Sequence, residues 1–407
     1  MKILKFLILI ILAVLVVMFF KPQKNAADII TFASWGSQSE LSVLKQSLSE
    51  FEKETGVKVD FIHIPQNYFQ KLHLLYASNL EPDVIFINNQ YIKMYSNAGV
   101  LEDLSKYFTD EEKNEFYSQA LNCFNEDGKL YAIPRDISNL VLYVNKDILK
   151  NAGIQYKTKY NDLNELISDF AKLKTDKVFA INSEDKALYW LYYLCANGGG
   201  VISDDLTQII LDNKESIEAL NLFSDLINKY NYAPTKSQIG SMTTAQMFIN
   251  GKLAMYLSGR WMVPKFRETI DFNWDITEFP SSSKNKVYID ASGWAISKNS
   301  RNKDNAVKLI KFLASDKISE EFAQSGLIVP ARKETADKYF KRTTNQKPAH
   351  SYIFIEMLKD TKPTPVNENY NKINDIINEK AKEMFSSGQN FNEVFDNKTI
   401  KKLERLL

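Results

Sequence analysis

The sequence has almost no excess of charge of either sign and contains few histidine residues. Lysine and arginine together number 51, and aspartate and glutamate 50, in a chain of 407 residues. This balance gives no electrostatic basis for a nucleic-acid partner, because nucleic-acid-binding proteins concentrate positive charge. The three histidines, His63, His73 and His350, are too scattered for a zinc site. We therefore expect no nucleic acid, no metal and no other cofactor.

Cysteine is equally scarce. Only Cys123 and Cys195 occur, and the lobe boundaries predicted below place them in different lobes. A disulfide between them would lock the joint between the lobes. We therefore expect both to be small buried apolar residues.

Long apolar runs are absent except at the N-terminus, where residues 6–20 are uninterruptedly apolar and are flanked by lysines. This pattern indicates export, through either a cleaved signal peptide or an uncleaved anchor. The run is short for a full membrane span, and a buried core helix is the structural alternative. The cleavage side, around Ala26 and Ala27, is weak, which favours the anchor. No cysteine follows the run, so a bacterial lipoprotein anchor is excluded.

The sequence also lacks a complete phosphate-binding loop. Residues 198–200 are three consecutive glycines, but no Lys-Ser/Thr pair follows them. A helix end followed by an adaptable rim loop is the better interpretation of this triplet.

The first third of the chain alternates between strand and helix patterns. Strands are predicted at residues 29–35, 57–63 and 83–87, with a helix after each of the first two. Ser37 and Glu40 form a possible capping box. This βαβαβ order predicts a doubly wound sheet, in which ligands meet the loops beyond the carboxyl ends of the strands.

Residues 127–147 predict a crossing between two lobes. A turn precedes a short strand at 130–133, Pro134 ends it, and a second strand at 140–144 runs into a helix. A chain of this length suits two globular lobes. A ligand between lobes that close on it makes binding, rather than chemistry, the expected function.

Several segments occur in the order expected for one family: FEKETGVKV (51–59), EPDVIFINN (81–89), DGKLYAIP (127–134), LVLYVNKDILKNAGI (140–154), FINGKLAMYLSGRW (248–261) and WAISKNSRNKDNAVKLIKFLAS (294–315). Together they resemble the extracellular solute-binding proteins of family 1, the maltose-binding-protein-like receptors of ABC importers. The resemblance covers essentially the whole chain after the apolar segment.

The resemblance implies an α/β, type II periplasmic-binding-protein fold with two doubly wound lobes and a multi-crossing hinge. It also implies a monomer that takes a sugar between its lobes and delivers it to importer permease subunits. Gram-positive members usually carry a lipid-modified cysteine, which is absent here, so we expect a periplasmic or membrane-tethered protein. The predicted boundaries are 1–27 for the signal or anchor segment, 28–139 and 272–326 for the first lobe, and 140–271 and 327–407 for the second.

A sugar cleft needs flat aromatic platforms for the C–H faces of the ring. Core packing is the alternative for each tryptophan. Trp261 matches the stacking aromatic of the family, and glycines beside two of the tryptophans would let a ligand approach the backbone. The candidates are Trp35, Trp190, Gly259, Trp261, Gly293 and Trp294.

Planar polar groups should bind the hydroxyls of the same ligand. The candidates lie after strands, near the crossings or beside the glycine triplet: Glu40, Asn88, Asn89, Asp136, Asn197, Asp290 and Arg332. Glu40 has the capping box as its structural alternative. Arg332 matches a frequent cleft arginine of the family and has a surface salt bridge as its alternative.

The sequence thus predicts a receptor that captures a mono- or oligosaccharide by hinge closure. A non-sugar solute such as a polyamine, glycerol phosphate or iron is the alternative ligand, and ligand sensing is the alternative role. An enzyme would need paired carboxylates at a suitable separation, and nothing in the spacing of Glu40, Asp136 and Asp290 demands such a pair.

Overall fold

A computed structural model describes residues 29–282, 286–342 and 346–407, without the side chains of residues 341 and 342. The predicted signal or anchor segment, residues 1–27, lies outside the described residues. Within the described ranges, no helix is both long and apolar enough to cross a membrane.

The strands of the described chain are β1 (Ile29–Ser34), β2 (Lys58–His63), β3 (Val84–Asn88), β4 (Asn125–Glu126), β5 (Lys129–Leu130), β6 (Ile133–Ser138), β7 (Leu140–Asn145), β8 (Met255–Gly259), β9 (Trp274–Thr277), β10 (Val287–Ile296), β11 (Val329–Pro330) and β12 (Thr361–Pro363).

The α-helices of the first half are α1 (Gln38–Thr55), α2 (Tyr68–Ala77), α3 (Asn89–Asn97), α4 (Asp110–Asn114), α5 (Ser118–Asn122), α6 (Lys146–Asn151), α7 (Leu163–Leu173) and α8 (Ala187–Ala196). Those of the second half are α9 (Lys214–Asn228), α10 (Lys236–Ile239), α11 (Thr244–Ile249), α12 (Val263–Thr269), α13 (Lys303–Leu313), α14 (Asp316–Gln324), α15 (Lys333–Arg342), α16 (Ile353–Glu356), α17 (Tyr370–Ser387), α18 (Phe391–Val394) and α19 (Asn397–Glu404). Short 3₁₀ turns cover Arg260–Met262 and Met357–Asp360.

Helix α1 shows how local sequence fixes the first βα unit. The Ser37 hydroxyl accepts from the backbone N–H of Glu40, and a Glu40 carboxylate oxygen accepts from the N–H of Ser37, which completes the predicted capping box. At the other end, Gly56 adopts φ 74° and closes the helix, a conformation that glycine reaches without steric cost. The predicted capping box is confirmed.

A large mixed sheet has the strand order β11-β6-β10-β3-β1-β2, with β12 beside β10. Strand β1 pairs in parallel with β2 and β3, which confirms the predicted βαβαβ opening. Strand β10 runs antiparallel between β3 and β6. The first lobe is built on this sheet, and α1 and α13 pack against it through buried leucine, isoleucine and phenylalanine side chains.

The second lobe is built around a small sheet of order β8-β7-β9. Strand β9 lies in the segment 272–326 that was predicted for the first lobe, yet it pairs antiparallel with β7. Conversely, β11 and β12, predicted for the second lobe, pair with β6 and β10 of the large sheet. The predicted boundaries at 272 and 327 are therefore wrong for these strands, because pairing partners distant in sequence decide which sheet a short strand joins.

Both cysteines are free and buried, as expected. Cys123 belongs to the core of the large sheet, whereas Cys195 packs in the helical core around α8, α9 and α17. Burial raises the pKa of the Cys195 thiol to about 12, so this thiol stays protonated and unreactive at neutral pH.

Candidate ligand-binding cleft

Four segments bring polar side chains to one edge of the large sheet. Ser292 of β10 pairs with Asn88, at the end of β3, and with Asp136 of β6. Trp35 follows the end of β1, and Glu40 lies in the first turn of α1. This is the carboxyl edge of β1 and β3, where ligands bind in doubly wound sheets.

A cavity of about 350 Å³ opens at this edge. Asn88, Asp136 and Asp290 line it from the side of the large sheet. The opposite wall includes Leu188 of α8 and Trp261, which lies in the 3₁₀ turn after β8 of the small sheet. Residues of both lobes therefore contribute to one cavity, which we call the central cavity.

A buried group of charges forms the floor of the central cavity. The Arg135 Nε donates to Asp136 Oδ2 at 2.7 Å, and its Nη2 donates to Glu40 Oε1 at 3.2 Å. The Ser292 hydroxyl donates to the same Asp136 oxygen at 2.8 Å. The guanidinium also lies 5.2 Å from the centre of the Phe86 ring and 5.5 Å from that of Trp294.

This charge group is internally compensated. Burial by itself lowers the pKa of Arg135, but the carboxylates of Asp136 and Glu40 outweigh burial and leave that pKa above its ordinary value. Glu40 also caps α1 through its second oxygen. Both oxygens of Glu40 are thus engaged within the protein, one of them in the expected capping box and the other by Arg135. Arg135 fixes the orientation of the carboxylates of Glu40 and Asp136.

The carboxylate of Asp290 differs from those of Glu40 and Asp136 in that Arg135 does not donate to it. Its Oδ1 accepts from Asn89 Nδ2 at 3.0 Å and its Oδ2 from Gln90 Nε2 at 2.9 Å. No lysine or arginine of the described residues forms an ion pair with it. Burial raises the pKa of Asp290, and hydrogen bonding by the side chains of Asn89, Thr364 and Gln90 opposes this only in part. Its remaining lone pairs can accept hydrogen bonds from ligand hydroxyls.

Two tryptophans supply apolar faces to the central cavity. Trp35 is 45% exposed although it contacts the Phe86 ring edge-on, with 5.8 Å between ring centres. Trp261 is half-buried, and a Cβ at Gly259 would lie 2.0 Å from its ring. Gly259 therefore makes room for the Trp261 ring, and not for a ligand as the sequence had suggested.

Several buried polar atoms around the same cavity have no hydrogen-bond partner among the described residues. Asn88 Oδ1 and Asn139 Oδ1 are buried without a hydrogen-bond partner among the described residues, and so are the three guanidinium nitrogens of Arg260. Arg260 packs instead on the rings of Tyr339, Phe340 and Phe354, at 4.6–5.5 Å from their centres. Burial lowers the pKa of Arg260 to about 10, so the group remains charged at neutral pH. Unsatisfied buried polar atoms are rare in native structures, and several line this one cavity.

Six of the predicted site residues line the central cavity: Trp35, Glu40, Asn88, Asp136, Trp261 and Asp290. Their contact with a ligand stays a prediction. Asn89 lies just behind them; it is buried, donates to Asp290, and accepts from the N–H of Ala291 at 3.0 Å. Asn89 therefore holds Asp290 in place from outside the cavity.

The other predicted aromatic and glycine residues lie elsewhere. Trp190 and Trp294 are fully buried in separate cores, and Trp294 packs edge-on against Phe32 with 5.3 Å between ring centres. A Cβ at Gly293 would lie 2.4 Å from the carbonyl oxygen of Ile133, so this glycine permits close pairing of β10 with β6. Packing of strands and helices, and not ligand access, explains all three residues.

Two of the predicted polar site residues, Asn197 and Arg332, also lie away from the central cavity. Asn197 donates to the carbonyl oxygen of Glu215 at 2.8 Å and ties the end of α8 to α9. Arg332 donates to Asp316 Oδ1 at 2.8 Å and to Glu115 Oε2 at 2.7 Å. The salt-bridge alternative for Arg332 is therefore correct.

Sequence reasoning missed Gln90, Arg135, Ser138, Asn139 and Ser292. Arg135 carried a usable signal, since it stands between Pro134 and the predicted Asp136 near the crossing. The other four carried none, because their position depends on which strands pair. Among the described residues, no group of histidine, cysteine and carboxylate side chains is arranged to hold a metal ion.

Comparison with known sequences identifies the family. The profile described as bacterial extracellular solute-binding protein matches residues 46–350. The chain belongs to this family. Among similar solute-binding proteins, the maltodextrin-binding protein MdxE of Bacillus subtilis is 28% identical over 345 residues, which cover 78% of this chain and 76% of that protein.

Solved structures of solute-binding proteins confirm the fold. An ABC substrate-binding protein of Listeria monocytogenes, in complex with cycloalternan, superposes with a TM-score of 0.81 and 25% identity, covering 93% of this chain and 97% of its own. The maltotriose-binding protein of Thermus thermophilus, bound with maltotriose, has a TM-score of 0.73 and 21% identity, with 93% and 98% coverage. The resemblance inferred from the sequence and the predicted fold class are both confirmed.

Proposed function

We propose that this solute-binding protein captures a carbohydrate in the central cavity and delivers it to the permease of an ABC importer. The main support is the combination of surfaces at this cavity. The partly exposed rings of Trp35 and Trp261 suit the apolar faces of a sugar ring. Asp290, with no cationic partner among the described residues, suits its hydroxyls. The relative named for maltodextrin binding and the Listeria protein that holds cycloalternan support the same ligand class.

The proposed mechanism is hinge closure. Trp35, Asp136 and Asp290 belong to the side of the large sheet, and Leu188 and Trp261 to the other side. A ligand that contacts both sides favours the closed arrangement by the difference in its affinity for the closed and open forms. The permease would then recognise the closed lobes.

The proposal also covers features other than ligand capture. We propose that it is exported, held at the membrane by residues 1–27, and monomeric. We also propose that it catalyses no reaction, because the carboxylates of Glu40 and Asp136 share Arg135 and are fixed by it. Finally, we propose that the return to the first lobe begins after β9.

A ligand panel tests the proposed ligand class. Melting temperature is measured with mono- and oligosaccharides, and with polyamines and phosphate esters as controls, because a ligand that binds only the folded state raises it. We expect stabilisation by carbohydrates alone. Small-angle scattering with the stabilising sugar should show a smaller radius of gyration. Stabilisation by a polyamine or a phosphate ester, with no effect of any sugar, would contradict the proposal.

A further inference from the structure

The central cavity adjoins a second, larger cavity. This outer cavity has a volume of about 610 Å³ and lies between the start of α8, helix α17 and strand β10. Gln90, Ser138, Leu188 and Asp290 line both cavities. The hydrogen-bonded pair Gln90 and Asp290 therefore stands where the two cavities adjoin.

The outer cavity in turn meets a groove on the second lobe. This groove has a volume of about 600 Å³ and runs past the end of α9, helix α10 and the end of α17. Asp185 and Lys382 line both the outer cavity and the groove. The three spaces thus adjoin one another in a row, which we call the path, from between the lobes to the surface of the second lobe.

The chemistry of the path beyond the central cavity suits a hydroxylated ligand. Asn378 Oδ1 accepts from the N–H of Ala187 at 2.6 Å, and its Nδ2 donates to Asn374 Oδ1 at 3.1 Å, so the Asn374 side chain is oriented with its amide nitrogen available. No ion pair or side-chain hydrogen bond joins Asp185 or Lys382 to another described residue. Apolar side chains also line these two spaces: Leu191, Ile239, Met242 and Phe385.

The volumes leave room for a ligand longer than a monosaccharide. A single drug-sized ligand fills a pocket of roughly 300–1,000 Å³. The central cavity alone, at about 350 Å³, is at the lower end of that range. The outer cavity and the groove each add a space larger than the central one, which a monosaccharide in the central cavity would leave unoccupied.

We propose that the ligand is a linear oligosaccharide whose chain extends from the central cavity through the outer cavity and onto the groove of the second lobe. This inference rests on the proposed carbohydrate function and adds a binding site outside the interlobe cleft. Because the groove belongs to one lobe, the far end of the chain stays bound there in both the open and the closed form. The groove therefore raises affinity without contributing to closure.

The test is a chain-length series with blocking variants. Lys382→Trp places a bulky ring at the junction of the outer cavity and the groove, and Ser237→Trp places one in the groove; both positions are exposed, which favours normal folding. Lys372→Trp is the matched control, since Lys372 is exposed on the same helix α17 and lines none of the three spaces. Calorimetric affinities are measured for maltose and its longer homologues, and for a second linear series with β-linkages.

We expect the affinity of the wild-type protein to rise with chain length in at least one series. In Lys382→Trp and Ser237→Trp the rise should stop earlier, with a loss of roughly tenfold for the longest chains, the equivalent of ~1.4 kcal/mol or one to two hydrogen bonds. Lys372→Trp should follow the wild type. Sugar binding that does not increase with length, or blocking variants that keep the full increase, would overturn the extended site and leave the carbohydrate function intact. Absence of binding by every mono- and oligosaccharide would instead refute the proposed function itself.

Discussion

Replacement of Arg135 by methionine tests whether the floor of the cleft is a mutually dependent charge group. Methionine fills a similar elongated volume and adapts its shape to the surrounding aromatic rings, so the principal change is loss of the positive charge. Glu40 Oε1 and Asp136 Oδ2 would then lose their shared donor. Both are largely inaccessible to water, with side chains 16% and 6% exposed.

The expected loss follows from what each carboxylate retains. Removal of one partner from a buried ion pair costs about 3–5 kcal/mol, because the remaining charge is uncompensated. The N–H of Ser37 still donates to Glu40, and the hydroxyl of Ser292 still donates to Asp136, which limits the penalty. Loss of the cation from above the Phe86 and Trp294 rings adds roughly 0.5–2 kcal/mol. We expect the free energy of unfolding to fall by about 3–5 kcal/mol.

Urea unfolding followed by tryptophan fluorescence measures this change. The denaturation midpoint should fall without a change in slope, since the surface exposed on unfolding is the same. The matched control combines Arg135→Met with Glu40→Gln and Asp136→Asn, which remove the unpaired charges while glutamine still serves a capping box. This triple variant should recover most of the lost stability. A single variant within about 0.5 kcal/mol of wild type, the range of ordinary surface changes, would refute the reasoning.

Three further predictions concern individual residues. Trp261→Ala should weaken sugar binding by about 1–3 kcal/mol through loss of one stacking platform, and unchanged calorimetric affinity would remove this residue from the site. Arg332→Ala should leave sugar affinity unchanged and lower stability by less than about 1 kcal/mol, because its partners Glu115 and Asp316 are largely exposed; a clear loss of affinity would contradict the structural assignment. Burial raises the folded-state pKa of Asp290, so its contribution to stability is complete below the unfolded-state pKa and is lost as pH rises through the folded-state pKa. Relative to wild type, Asp290→Asn should therefore gain stability as pH rises from about 4, and urea titrations that show a constant difference across pH would disprove this.

The charge group on the cleft floor explains why sequence reasoning found only part of the site. Glu40 and Asp136 were identified from their positions after a strand and near a crossing, whereas Arg135 between them was overlooked. Their association depends on α1 meeting β6, and these elements are far apart in the chain. Trp35 and Asn88 lie at or just after the end of a single strand. They were predicted to lie at the edge of the sheet where the ligand binds, and they do line the cavity. Residues placed by packing between distant elements, such as Trp190, were assigned to the wrong environment.

The sequence by itself determined the local elements, because their signals act over a few residues. The capping box of Ser37, the glycine that ends α1 and the alternation of strands and helices up to β3 are all properties of neighbouring residues. Tertiary structure alone decided that β9 joins the small sheet. It also decided which tryptophans reach the cleft. The reason is that strand pairing and burial depend on contacts between segments that are far apart in the sequence and meet only when the chain folds.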